Sequence, residues 1–315
     1  MVKQMHLPVE YMDTNGVLSN KSYNLPRLAF AKHLSFAGQG YAPSPKKIMR
    51  AISMFIHYSS YLNRTEFYSG RFSEPPIQLS DPTEKGQFSS LAGKAIADFL
   101  SKKIDGSLLT VNYEAAMRIK GMPIMGRRPD LLAYTKNACF AVEAKGFSGM
   151  SGDMAVHKAQ AGSGKIATKF NVACVSYNLY NQVKCKYHDP INGNYVYDDE
   201  LFKSLTKRYY SGLLEFLNND YFEYEEVEIQ QSKFYAVNIK PKFFLEIFPR
   251  NLFRFHYWHE LIYMGEFDRL RLILPKEIKM LATEGMANDS KPFLFISNEN
   301  NNLYIDNDRV GLELR

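Results

Sequence analysis

The chain has 315 residues, 45% of them hydrophobic, and a formal net charge of +6. That length exceeds the usual single domain and predicts two or three packed units. No apolar run reaches the roughly 18 residues of a membrane span, and the opening MVKQMHLPVE lacks an apolar signal region, so a cytoplasmic protein with no membrane partner is expected.

Cys139, Cys174 and Cys185 cannot all pair with one another and read as reduced thiols. The mild positive charge fits a polyanionic partner without selecting one. Along the chain, IMRAISMFIHYSSYL reads as a helix with Met49, Ile52, Phe55 and Ile56 on one side. RFSEPPIQLSDP reads as a connector. A stronger helix follows, with Asp81 as N-cap, Pro82 in the first turn and Glu84 at the capping-box position. Phe88, Leu91, Ala92, Ala95, Ile96, Phe99 and Leu100 recur on it at helical spacing. Residues 108–120 alternate apolar and polar and predict one strand.

GRRPDLLAYTKNACFAVEAKG then predicts two strands joined by a tight turn. GDMAVHKAQ reads as a short helix, FNVACVSYNLY as a buried strand and FKSLTKRYYSGLLEFLNN as an amphipathic helix. From about residue 225, EVEIQQSKFYAVNIK predicts a strand, FDRLRLILPKEIKML a helix broken at Pro275, and FLFISNENNNLYID a late hairpin. The order predicts an α/β layer with a mixed sheet.

The hairpin is the informative part. With Lys136 and Asn137 as turn residues, Asp130 lies directly opposite Glu143, their Cβ atoms roughly 4.5–5.5 Å apart. Lys145 lies two residues beyond Glu143 and points the same way. Two carboxylates this close in an apolar layer repel, so either one is protonated or a cation sits between them. Oxygen ligands with open positions suit Mg²⁺ or Mn²⁺. The lysine would neutralise the site, hold or deprotonate a water, or stabilise charge on a phosphate. A hard cation, a water and a cationic neighbour suit hydrolysis of a phosphodiester.

Pro129-Asp130 followed by Glu143-Ala144-Lys145 resembles the PD-(D/E)xK nuclease superfamily of restriction endonucleases, repair nucleases and junction resolvases. The resemblance covers about residues 81–220. It implies a restriction-endonuclease-like core at 81–224, with a mixed central sheet flanked by helices. Residues 1–80 would add a mainly helical region and 225–315 an α+β region, supplying target recognition, dimerisation or partner binding.

By the same resemblance, Asp130, Glu143 and the backbone carbonyl of Ala144 would bind the metal, Mg²⁺ or alternatively Mn²⁺. Lys145 would orient the attacking water. Glu84 matches an extra acid on the preceding helix, or serves only as capping-box glutamate. Glu114 is a further possible acid on the strand's polar face, or a solvated residue. Gln160, with Lys158 nearby, matches a glutamine that some members carry after the third strand, or is a surface residue. Arg127 and Arg128 would steady a phosphate backbone, and Lys165 with its neighbours would touch DNA from a loop; each also fits a plain surface role. The implied activity is magnesium-dependent endonucleolytic hydrolysis of double-stranded DNA in restriction or anti-phage (antiviral) defence. The partner would be a homo-oligomer mate or another defence protein. Alternatives are a repair or recombination nuclease, and a nucleic-acid-binding subunit of faded activity.

Other motifs fall away. AGSGKIATK lacks the first Gly and the Ser/Thr of a P-loop. Cys185-x-x-His188 is half of a zinc spacing. His256 and His259 in FHYWHE, and Tyr209 and Tyr210, read as core packing.

Overall fold

The structure, a computed structural model, describes residues 4–38, 54, 57–74, 82–189, 196–240, 269–286, 298–299 and 302–315. Most of the helix expected at IMRAISMFIHYSSYL, the Asp81 cap and the FHYWHE cluster lie outside the described residues.

The chain begins with a β-hairpin, β1 (Met5–Met12) and β2 (Leu18–Leu25), followed by α1 (Arg27–Phe36) and a short α2 (Arg64–Tyr68). Beside its helices, the region read as mainly helical thus holds two strands that the sequence reading did not expect. The signal was present, because Met5, Leu7 and Val9 alternate onto the buried face. Pro8 disguised it, since proline is confined to edges and to positions that need no donor. It lies just outside the stretch, Val9 to Met12, that pairs with a neighbouring parallel strand.

Next come α3 (Pro82–Ile104), β3 (Leu109–Asn112) and α4 (Tyr113–Ile119). The expected strand over 108–120 thus stops halfway. Asn112 Oδ1 accepts from Ala115 N at 3.0 Å and caps a helix. Tyr113, Ala116 and Met117, all buried, follow the helical period, and Tyr113 and Met117 also fit the alternating one.

β4 (Leu131–Tyr134), β5 (Cys139–Gly146), α5 (Met154–Ala161), β6 (Asn171–Tyr177), β7 (Lys184–His188) and α6 (Asp199–Leu214) follow. Together they build a seven-stranded sheet in the order β2-β1-β7-β6-β5-β4-β3. The sheet is mixed, with β5 parallel to β6 through the α5 crossover, β7 parallel to β1, and the remaining pairs antiparallel.

A second, six-stranded sheet runs β11-β12-β13-β10-β9-β8. It comprises β8 (Phe222–Ile229), β9 (Ser232–Ile239), β10 (Leu270–Pro275), β11 (Asn298–Glu299), β12 (Leu303–Ile305) and β13 (Gly311–Leu314), with α7 (Ile278–Glu284) beside α6. Two expectations are corrected here. EVEIQQSKFYAVNIK is a hairpin turning at Gln230 and Gln231, whose φ of 48° and 63° fit the mirror-image turn that hairpins favour. FDRLRLILPKEIKML holds a buried strand ending at Pro275 and then a helix. A short apolar run is ambiguous between the two forms. The late hairpin is present as the antiparallel β11–β12 pair.

The helix α3 is the spine. Except for half-buried Leu91, its predicted stripe is buried, and so are Gly93, Ala97, Asp98, Ser101 and Lys102 on other sides. Near its middle it lies directly on β5. A Cβ at Gly93 would stand 2.4 Å from the Gly146 nitrogen, and one at Gly146 would stand 1.8 Å from the Ser89 carbonyl oxygen. Only glycine at both positions permits this approach.

At its C-terminal end α3 joins a fully buried ionic cluster. Lys32 Nζ of α1 lies 2.6 Å from Asp308 and also contacts Asp306. Lys102 Nζ lies 2.9 Å from both aspartates. Tyr209 of α6 donates to Asp308 at 2.9 Å. Asp98 accepts from His33 at 2.6 Å and from Thr110 at 2.9 Å. Burial would raise the Asp98 carboxyl, but Lys102, His33 and Lys32 outweigh it and hold it at about 2. Breaking a buried pair by removing one partner strands a charge, at a cost of about 3–5 kcal/mol. Lys32→Met should therefore lower unfolding stability by about that amount in urea titration. A loss under about 1 kcal/mol, the range of an exposed pair, would show that the cluster is not what ties these elements together.

Candidate functional site

The 126–146 hairpin has the expected register. Leu131 pairs with Val142 and Tyr134 with Cys139, and Thr135 N donates to Ala138 O at 2.8 Å around Lys136 and Asn137. Continuing that ladder one step sets Asp130 opposite Glu143. Both project away from α3, which packs on the Ala144–Gly146 side.

The three charged side chains converge. Lys145 Nζ donates to Asp130 Oδ2 at 3.1 Å and touches Glu143 Oε1. Ala144 N also donates to Asp130 Oδ2 at 3.1 Å, locking that carboxylate against β5. Asp130 and Lys145 keep 30% and 29% of their side-chain surface, whereas Glu143 has 0%. Glu143 is thus buried with its charge partner, Lys145, shared with Asp130.

These surroundings set the charge states. Burial first, then the Asp130 charge, pushes Glu143 up to about 8 against the partial relief from Lys145. Burial would depress Lys145, but Asp130 and Glu143 outweigh it and hold it above the usual lysine range. Lys145 is thus a cation and donor at neutral pH, not a base that removes a proton.

The donor set fits a hard cation. A buried carboxyl group faces a second, part-exposed one, and the Ala144 carbonyl lies between Glu143 and Lys145 in the chain. Magnesium is commonly held by one or two carboxylates with remaining positions left to water and phosphate. Among the described residues no group of three or more His, Cys, Asp or Glu side chains forms a fuller cage.

The other expected site residues are distributed as follows. Gln160 of α5 donates to the Arg128 carbonyl at 3.1 Å and steadies the segment entering Asp130. Arg128 is ion-paired with Glu114 and donates to Gly126 O at 2.9 Å, so its guanidinium is occupied. Glu114 lies on α4, not on a strand face. Arg127 and Lys165 are exposed. Glu84 accepts from Tyr61 at 2.8 Å within a group of rings including Phe88, and its charge acts on Tyr58, Tyr61 and Tyr180. No described contact joins it to the Asp130–Glu143 pair.

Lys158 reaches Met12 Sδ at 3.1 Å. The loop containing Gly164 is packed, with Tyr113 OH accepting from Ile166 N at 2.8 Å. Cys185 and His188 face opposite sides of β7 and engage Ser176 and Glu10 respectively. Tyr209 and Tyr210 are buried, as their packing reading requires.

One residue near the site carried no signal. His157 on α5 is buried, its ring 5.7 Å from Phe147, and burial followed by the Lys145 charge lowers its pKa. Its spacing of three from Gln160 puts both on one helix face.

Scans of the chain against protein-family models, curated proteins and solved structures each returned no match.

The raised carboxyl makes a signed prediction. A Glu whose folded value is about 8 against about 4.3 unfolded stabilises the fold least once ionised. In EDTA, stability should fall as pH rises between about 4 and 8, and Glu143→Gln should flatten that fall. Added Mg²⁺ should restore wild-type stability at the alkaline end and leave the variant unmoved. Parallel pH curves for the two proteins in urea titrations would contradict this.

Proposed function

We propose that the chain is a metal-dependent nuclease of the PD-(D/E)xK type with a restriction-endonuclease-like core, hydrolysing phosphodiester bonds in DNA. The supporting observation is the convergence of Asp130, Glu143 and Lys145 on one sheet face, with Glu143 fully buried and Lys145 shared between the two carboxyl groups. Such a pair is fully ionised at neutral pH only when further positive charge joins Lys145 there.

Asp130, Glu143 and the Ala144 carbonyl would hold Mg²⁺. When bound, the ion supplies Lewis-acid activation of the phosphoryl group and eases ionisation of a water. The remaining work falls to the protein. Asp130 is pinned by the Ala144 amide, so its carboxylate is oriented before substrate arrives. Lys145, kept charged, donates to the attacking water or to the phosphate oxygen on which charge builds. Gln160 fixes the strand entry through the Arg128 carbonyl and is a positioning residue. Arg128 acts on the scaffold through Glu114, leaving exposed Arg127 as the arginine of this pair able to meet a phosphate. Restriction or anti-phage defence is the setting we favour for such an enzyme.

Supercoiled plasmid should be nicked or linearised with Mg²⁺ and left intact in EDTA. Asp130→Ala should abolish cutting. Lys145→Ala should slow it roughly 10²–10⁴-fold, the range for a positioned proton-handling or donor group. Cutting by Lys145→Ala at the wild-type rate would remove the lysine from the mechanism.

A further inference from the structure

The register carries the site lysine into a row that crosses the sheet. Lys145 pairs with Val175, Val175 with Lys186, Lys186 with Glu10, and Glu10 with Asn20. Paired residues share a face, so these side chains project to the same side as Lys145. Five strands span about 19 Å at the usual inter-strand spacing. The adjoining row starts at Glu143 and passes through Ala173, His188 and Met12.

The helix α5 lies over β5 and β6 on this face and extends Lys158 to Met12. Past it, on β7, β1 and β2, the face is polar. Lys184 is exposed, and Lys186 keeps 25% of its side-chain surface. Glu10 stands 3.8 Å from Lys186, while His188 Nε2 engages the same Glu10 oxygen at 2.9 Å. Asn20 and Ser22 on β2 are exposed. A sheet face of this composition suits a wet, anionic partner and not a covering apolar helix.

We propose that this face of β7, β1 and β2 is the bed for the sugar-phosphate backbone of a nucleic acid whose scissile bond lies at Lys145. Lys158, Lys184 and Lys186 hold the neighbouring phosphates. The assignment rests on the nuclease reading of the site and adds where the substrate lies. The N-terminal hairpin is then part of the substrate platform, which lies across α5 and the buried Val175 from Lys145.

The test is binding without chemistry. Fluorescent duplex DNA, single-stranded DNA and single-stranded RNA of one sequence are titrated in EDTA over a range of salt. The double variant Lys184→Gln/Lys186→Gln should bind about tenfold more weakly at low salt. Its plot of log K against log salt should be shallower by about 0.9 per lost phosphate contact on duplex, or about 0.7 on single strands. Lys279→Gln on α7, exposed and remote from the row, should leave both unchanged. The three probes show which nucleic acid the bed prefers. An unchanged slope in a double variant that melts like wild type would overturn the bed, and continued Mg²⁺-dependent cutting by it would leave the nuclease reading standing. Failure of wild type to bind any of the three probes would overturn both.

Discussion

The fold is organised around two lysines that have left water. Lys32 and Lys102 are buried from different helices, and Asp306 and Asp308 meet them from the β12–β13 turn. A buried charge without a partner costs several kcal/mol, so neither helix can settle until that turn is in place. Asp98, His33, Thr110, Tyr209 and Tyr304 close the remaining valences of the cluster. The cluster connects α1, α3, β3, α6 and the second sheet through polar contacts, while one apolar core runs continuously beneath them. A well-packed apolar replacement could be as stable. What the charges add is a unique way for these surfaces to meet.

Position is carried from that cluster to the site by α3. The helix is anchored at Asp98 and Lys102 and rests its middle on the β5 backbone through Gly93 and Gly146. β5 in turn presents Glu143 and Lys145 on its opposite side. Glu143 and Lys145 therefore sit on a strand backed by a packed helix, the kind of support by which side chains are preorganised to fractions of an ångström.

Much of this was legible in the residues, and the failures have physical causes. The turn at Lys136 and Asn137 fixed a register, and with period-two alternation a register fixes which side chains share a face. The stripe on α3 was equally plain. By contrast, the Gln230–Gln231 turn uses positive φ without Gly or Asn, so the chain read through it as one strand. Pro8 hid β1, and with it the row of β7 and β1 side chains beside the site. Around the site, the acid pair and Lys145 came from spacing. The occupation of Arg128 by Glu114, the seat of Glu84 against Tyr61 and the approach of His157 depend on tertiary placement and leave no local trace.

The ionic cluster also bears on when the molecule can be finished. Lys32 and its aspartate partners are 274 and 276 positions apart in sequence. Translation at about 5–20 residues per second therefore makes those aspartates some tens of seconds after Lys32. Through that interval Lys32 lacks both of its aspartate partners, while Lys102 keeps Asp98, one turn back on its own helix. Burial of Lys32 is thus deferred until residues 306 and 308 have been made, a delay written into the fold by long-range charge pairing.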